Sequence, residues 1–272
     1  RLYTDANWVN DDPEKQFTYG LMVQSPWEAG GTLFLHFPEH LEYNPVGNSI
    51  LRHWDKIPPP WVISPDGKQA SYRVESPFLK DVFVEAFARV QQEDELPSDA
   101  VCVRLAMKII NKGTVTLPVI RPLICMQYNG LNGFSKDTKS HYKHNFIAID
   151  NELTALSDLA TENSNTTFKG CVVAGCPQHD TRSEATGGLI EKDMDLALSV
   201  LTSVDNRRKV IIWWTPGKSM IANANIPCLH ADPYFGTANP GEEVLAEGMI
   251  IFSEGEIEPI VEYLKRLDKK IF

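Results

Sequence analysis

Val101-Cys-Val-Arg-Leu-Ala-Met-Lys-Ile-Ile110 is the stretch that decides the fold class. Val101, Val103, Leu105, Met107 and Ile109 alternate with Arg104 and Lys108. A period of two belongs to an extended strand with one face packed and the other at least partly wet. Asn111-Lys-Gly-Thr114 reads as a turn, and Val115 to Tyr128 as the returning strand, with Pro118 and Pro122 implying a sheet edge or bulges. Toward the N-terminus, Thr32-Leu-Phe-Leu-His-Phe37, Ser71-Tyr-Arg-Val-Glu75 and Val82-Phe-Val-Glu-Ala-Phe-Ala-Arg-Val90 are rich in aromatic and β-branched residues, as strands are. Toward the C-terminus, Asp195 to Thr202 and Val210 to Trp214 flank Asp205-Asn-Arg-Arg208 as a hairpin. Asn239-Pro-Gly-Glu-Glu243, leading into Met249-Ile-Ile-Phe252, is the punctuation of an antiparallel sheet.

Only the C-terminus reads as helical. Ile257, Ile260, Val261, Leu264 and Leu267 form an apolar stripe at helical spacing. Glu256 and Glu258 stand at its start and Lys265, Arg266, Lys269 and Lys270 near its end, which suits the helix dipole. The spacing predicts a helix over about 257–270 that docks over a sheet edge. No linker, repeat or composition break divides residues 1–272, so the expectation is one all-β domain: a large two-sheet antiparallel sandwich with one C-terminal amphipathic helix.

Composition sets the remaining bounds. Hydrophobic content of 43% with 23% charged residues is that of an ordinary soluble globular chain, and 272 residues can bury a large core. With 36 acidic against 26 basic residues the net charge is -10, and no Lys/Arg stripe interrupts it, so no nucleic-acid partner is expected. No apolar run approaches the roughly 18 residues of a membrane span. The chain begins at Arg1 with no apolar leader; a periplasmic or secreted place is favoured over the cytoplasm, and the oligomeric state is left open. Five cysteines leave at least one unpaired, so they form no disulfide framework. Cys171 and Cys176 read either as a bridge across a bend or as buried free thiols, and Asn165-Thr-Thr167 matches a glycosylation sequon.

The pairing of Val101 to Gly113 with a strand ending in Cys125-Met-Gln-Tyr-Asn129 resembles the galactose mutarotase-like supersandwich, and Asn239-Pro-Gly-Glu-Glu-Val-Leu245 resembles the turn and strand near the end of such domains. The likeness is to uncharacterised bacterial members rather than to true aldose epimerases. It implies a two-sheet antiparallel sandwich with a carbohydrate-facing concave surface, and it implies Gln127, Tyr128 and Asn129 as sugar-binding groups. True epimerases carry a general-acid His where this chain has Cys125. A thiol with an ordinary pKa near 8.5 is a poor proton donor at neutral pH, so orthodox mutarotation is not expected.

Ile226-Pro-Cys-Leu-His-Ala-Asp-Pro-Tyr-Phe-Gly236 carries the densest chemistry. If it is extended, Cys228, His230 and Asp232 leave by one face, here expected at a strand-to-loop edge. Cys228 and Asp232 would then stand roughly 13 Å apart, so all three cannot hold one zinc ion without a sharp bend. A Cys228-x-His230 pair completed from elsewhere stays open, as does a structural turn at Asp232-Pro233. His141 and His144, in Ser140-His-Tyr-Lys-His-Asn145, are acid/base candidates or plain surface histidines. Trp54 and Trp61 bracket the stiff Asp55-Lys-Ile-Pro-Pro-Pro60, and either stack on sugar rings, with Trp27 and Tyr234 joining them, or anchor a loop. Glu85, Asp232 and Glu247 are candidates for a carboxylate pair. No phosphate-binding Gly loop and no Gly-x-Ser-x-Gly elbow is present.

The expected function is a carbohydrate-active protein, epimerase-like or lyase-like, acting on a sugar or uronate with His230, Asp232, His141 and His144 as catalytic groups. The alternative is a non-catalytic glycan-binding or scaffold sandwich. No cofactor is expected, and no metal is expected to be required for folding, because no closed set of four Cys/His ligands at short paired spacings occurs.

Overall fold

The computed structural model describes residues 1–4, 19–27, 30–45, 47–52, 60–137, 140–159, 171–175, 188–190, 192–223 and 226–271. In chain order the first strands are β1 (Leu2–Tyr3), β2 (Gly20–Gln24), β3 (Thr32–Tyr43), β4 (Asn48–Arg52), β5 (Val62–Ile63) and β6 (Gln69–Glu75). The long strands β7 (Val82–Gln91), β8 (Val101–Asn111) and β9 (Arg121–Gln127) follow, then β10 (Asn145–Ile149), β11 (Glu152–Ala155) and β12 (Cys171–Gly175). The last are β13 (Gly188–Leu189), β14 (Leu198–Thr202), β15 (Lys209–Thr215), β16 (Gly217–Asn223), β17 (Cys228–Pro233) and β18 (Glu243–Ser253). A short 3-10 helix (Ser140–His144), a one-turn helix α1 (Leu156–Leu159) and the C-terminal α2 (Glu258–Ile271) complete the described elements.

These strands make two sheets of nine. One runs β1-β2-β3-β9-β17-β16-β12-β13 with β4 beside β3, and the other β11-β10-β14-β15-β18-β8-β7-β6-β5. A continuous apolar cluster, from Leu2 to Phe252, fills the space between them. This is the large two-sheet antiparallel sandwich implied by the resemblance to the galactose mutarotase-like supersandwich. Among the described residues no helix is long and apolar enough to cross a membrane.

β8 anchors the second sheet. It pairs with β18 from Ile110↔Glu243 to Val101↔Phe252, and with β7 along its other edge. Val103, Leu105, Met107 and Ile109 enter the core, while Arg104, Ala106 and Lys108 are half-buried on the outer face, as the alternation requires. Gly248 of β18 lies opposite Trp214, whose indole covers it: a Cβ there would stand 2.7 Å from the ring and 2.6 Å from the Trp213 carbonyl. The absence of a side chain lets that ring lie flat in the core.

Two expectations are corrected. The segment after Asn111 does not return beside β8, because β18 and β7 already occupy both of its edges. Asn111 Nδ2 instead donates to the carbonyls of Val115 (2.8 Å) and Ala238 (2.9 Å), and the chain crosses to the first sheet. There β9 lies in the interior, between β3 and β17. Pro122 is tolerated because the β17 ladder meets β9 only at Cys125–Gln127 and ends before reaching it. The second correction concerns α2, which covers a sheet face rather than an edge. Its Ile260, Val261, Tyr263 and Leu264 pack on Leu198, Val200, Ile211, Trp213, Met249 and Ile251, the outward residues of β14, β15 and β18. Those strands are apolar on both faces and need a second cover.

The two faces of β8 and β18 differ in what they tolerate. Ile250→Ala, inside the core, is expected to cost about 2–5 kcal/mol, and Lys108→Ala, on the outer face, less than about 0.5 kcal/mol. Gly248→Ala must displace Trp214 and is expected to cost about 1–3 kcal/mol. Urea unfolding midpoints measure all three, and equal shifts for Ile250→Ala and Lys108→Ala would contradict the assigned facing.

Candidate functional site

The site grows from the outer face of the first sheet. In β3, β9 and β17 the residues Leu33, Leu35, Ile124, Met126, Leu229 and Ala231 point into the core. The alternate residues therefore point outward, and the registers place them in rows. His36, Cys125 and His230 form one row, and Phe34, Gln127 and Cys228 the next. Cys228, His230 and Asp232 thus leave β17 by one face, as the alternation predicts. β17 is flanked by β9 and β16 and ends at Pro233, so the trio lies on an interior strand and reaches its strand-to-loop end at Asp232.

A bulge brings in the residue that sequence reasoning missed. Between the pairs His36↔Cys125 and His40↔Leu123, β3 advances four residues while β9 advances two. The two extra residues re-aim the strand and turn Glu39 onto the outer face. Its Oε2 stands 4.0 Å from His230 Nε2, and its carboxylate bonds the Cys125 thiol. On the opposite side Asp232 Oδ1 lies 3.9 Å from His230 Nδ1. Asp232 is itself held, accepting the Ile124 N–H at 2.9 Å and the Ser219 hydroxyl at 3.4 Å. That first bond satisfies a backbone donor where the β9–β17 ladder has stopped.

Burial and charge work against each other here. Burial alone would lower the His230 pKa, but a hydrogen bond with Cys228 and the Asp232 and Glu39 carboxylates lift it to about 9. Burial raises both carboxylates, while the His230 charge opposes the rise in each. The Cys125 thiol is pushed well up by its bond to Cys228 and by burial. Beside them, Gln127 Nε2 is 3.1 Å from His36 Nε2.

Of the residues expected to form a site, His230, Asp232 and Gln127 meet on this face. Tyr128 and Trp61 are packed in the core, Trp61 edge-on to Tyr72 at 4.8 Å, and neither offers a face to a sugar ring. Asn129 is exposed in the turn after β9, and Tyr234 is half-buried just past β17. His144 is elsewhere: its Nδ1 lies 3.5 Å from Thr202 Oγ1, at the hairpin end of β14 in the other sheet. Trp54, the His141 side chain, Cys176, the Cys171 side chain and Asn165 to Thr167 lie outside the described residues. Trp27 packs against Phe134 and Phe252 under Arg208, which is an anchor's environment. Of the carboxylate candidates, Glu85 and Glu247 face outward from the second sheet, across the whole sandwich from Asp232, so Asp232 pairs with neither. A groove of about 520 Å³ lies on that second outer face, lined by Val62, Arg73, Glu85, Phe87, Lys108 and Leu245. Arg73 and Glu85 are paired with each other there at 2.7 Å, and among the described residues no acid–base set like that of His230 converges on it.

Glu39 left one trace in the sequence: His36-Phe-Pro-Glu-His40 puts three titratable groups around a proline inside an apolar strand. A proline in a strand signals a bulge or an edge.

No protein-family profile matches the chain, and no curated protein does. Solved structures of similar shape include the Slr1438 protein from Synechocystis sp. PCC 6803, with a TM-score of 0.40 and 11% identity over 93% of this chain and 84% of that one. A polysaccharide lyase aligns with a TM-score of 0.37 and 12% identity; 83% of this chain covers 27% of the lyase. The YeaD protein of Salmonella typhimurium, provisionally described as a mutarotase, aligns with a TM-score of 0.34 and 8% identity over 86% and 79% of the two chains. At such distance none of them assigns a reaction, and the chemistry is read from the side chains.

The His230 environment has a measurable signature. Its folded pKa is raised above the ordinary 6.5, so the stability it contributes is complete below about pH 6.5 and disappears as pH rises through about 9. NMR titration of the imidazole, with a chelator present, is expected to give a midpoint near 9 in the wild type and a lower one in Asp232→Asn. A wild-type midpoint at or below 6.5 would show that burial outweighs the acidic neighbours.

Proposed function

We propose that this chain is a carbohydrate-active protein that moves protons on a sugar or uronate, epimerase-like or lyase-like, with Glu39 as base and His230 as acid. One observation carries the reading: carboxylate oxygens stand 4.0 and 3.9 Å from the two nitrogens of one imidazole on an outer sheet face. An acid and a base held side by side are what proton transfer in two directions needs. Glu39 is the outermost of the three, its side chain 24% exposed against 8% for His230 and 1% for Asp232, so a ligand meets it first. Asp232 acts as a positioning residue, fixed by Ile124 and Ser219 and holding the ring between the two acids.

For ring opening, Glu39 would take the proton from the anomeric hydroxyl while His230 gives one to the ring oxygen. The ring carbon–oxygen bond breaks, a carbonyl forms, and closure from the other face returns both protons. For uronate elimination, the same base would take the proton next to the carboxylate and the same acid would protonate the departing oxygen. Both reactions use one proton in and one proton out. Cys125, in the position of the epimerase His, is cross-strand from His230. The imidazole that this chain does carry therefore reaches the same patch from the neighbouring strand.

Sugars would be assayed for anomeric exchange by NMR and uronates for the unsaturated product by ultraviolet absorbance. Glu39→Gln and His230→Gln are each expected to lower kcat about 100- to 10,000-fold with an unchanged circular dichroism spectrum. Turnover equal to wild type in both variants would remove the pair from the mechanism. Sugar binding by a wild type that turns over none of these substrates would replace the enzyme reading with the glycan-binding one. Glycan binding would draw on groups such as Gln127, half-buried on the same face, and the exposed Asn129.

A further inference from the structure

We infer that Cys125, Cys228 and His230 form a binding site for a soft divalent metal ion, zinc above all, with an open coordination position toward Glu39. Their three ligand atoms all lie within 4.8 Å of one another, and all three residues are buried. Neither cysteine is joined in a disulfide among the described residues. The inference does not rest on the sugar reading, since it concerns the sulfur chemistry that proton transfer leaves unused.

The ladder supplies the preorganisation. Cys125 is the direct partner of His230 and the diagonal neighbour of Cys228, so backbone hydrogen bonds of two strands hold all three donors on one face. Donors around a tetrahedral zinc are separated by roughly 3.4–3.8 Å, given Zn–S near 2.3 Å and Zn–N near 2.0 Å. Closing from the observed spread takes about 1 Å, within reach of side-chain torsions while the strands stay in register. The obstacle that Cys228, His230 and Asp232 present along one strand vanishes when the second thiol comes from β9. Two sulfurs and an imidazole select zinc or cuprous copper over magnesium or calcium, which prefer oxygen.

The surroundings match what a metal-bound histidine needs. Among the described residues His230 Nδ1 is buried without a hydrogen-bond partner, and it faces Asp232 Oδ1 at 3.9 Å. A small ring rotation makes Nδ1–H donate to that carboxylate and leaves Nε2 for the metal, the carboxylate–histidine–metal arrangement. Three protein ligands with one position open is the pattern of catalytic rather than structural zinc sites. Glu39, near Nε2, is placed to ligate the ion or to take a proton from a bound water. Binding releases one proton from each thiol, and one more where His230 starts as the imidazolium, so affinity rises with pH. The lone pair that holds the ion is the one that proton transfer at His230 would use, so metal loading and that chemistry exclude each other.

The test uses the full chain, reduced and stripped of metal, with cobalt(II) and then zinc as probes. At mildly alkaline pH the wild type is expected to take up one cobalt ion, with thiolate-to-cobalt charge-transfer absorption and the strong visible bands of tetrahedral cobalt, and to lose both on adding one equivalent of zinc. Cys125→Ser and Cys228→Ser should each weaken zinc binding by more than the roughly 10- to 100-fold that removal of an outer partner costs, and Asp232→Asn by about that amount. Cys102→Ser, on the helix-covered face, should leave binding unchanged. X-ray absorption of the zinc-loaded wild type needs no variant and should show two sulfur neighbours near 2.3 Å and a nitrogen near 2.0 Å. A chain that takes up no cobalt, a zinc shell without two sulfurs, or binding that survives in the Cys125→Ser, Cys228→Ser double variant overturns the inference. Sugar turnover is not read in this test, so its failure is separate from that of the acid–base reading.

Discussion

The pairing of β8 with β18 is the constraint on which the remaining structure depends. It joins residues more than a hundred positions apart in ten consecutive pairs, and β7 closes the other edge. A strand saturated on both edges has no room for the segment that follows it. The chain after Asn111 therefore leaves, crosses the sandwich and enters the first sheet as β9, which makes β9 and β17 neighbours. The polar face of the first sheet is thus a consequence of hydrogen-bond saturation in the second. The two sheets are also tied directly, Ser199 of β14 donating across the core to the carbonyl of His230 at 3.5 Å.

Each face of the sandwich is used differently. The second sheet is apolar on its outer side along β14, β15 and β18, and α2 covers it there. The first sheet carries its polar groups on the corresponding side. Counted as whole residues, Cys125, Cys228, His230 and Asp232 are each at most 6% exposed, which places thiols, an imidazole and a carboxylate in a poorly solvated setting. Electrostatic interactions are stronger there than in water, and unpaired charges are costly. A cation at His230 between two carboxylates, or a metal ion held by thiolates, are two ways for such a cluster to balance its charge. They compete for the same ring nitrogen.

The alternation in Val101 to Ile110, the hairpin at Asp205 to Arg208 and the turn at Asn239 to Glu243 were legible because each depends on residues close in sequence. Period-two burial, a two-strand turn and a left-handed glycine at position 241 are all local requirements. The C-terminal stripe was legible for the same reason, although a stripe does not say what it covers: α2 meets a face, because neighbouring strands proved apolar on both sides. The common outward direction of Cys228, His230 and Asp232 was likewise local, following from extended backbone alone.

What the sequence could not carry is adjacency between strands. Cys125 and Cys228 are about a hundred residues apart, and nothing in either segment names the other as its partner. Glu39 turns toward His230 only because β3 bulges against β9, a mismatch of two residues that belongs to the pair and not to either strand. His144 looked equivalent to His230 by residue type, and the order of strands alone sends it to the other sheet. Tyr128 reads as a sugar-binding group and Trp61 as either a stacking face or a loop anchor, and the closing of the two sheets put both inside the core. The sequence by itself determined which segments are strands and which side chains share a face, since backbone geometry acts over a few residues. Tertiary structure alone decided which faces meet, because register and strand order are set by hydrogen bonds between segments that are distant in the chain.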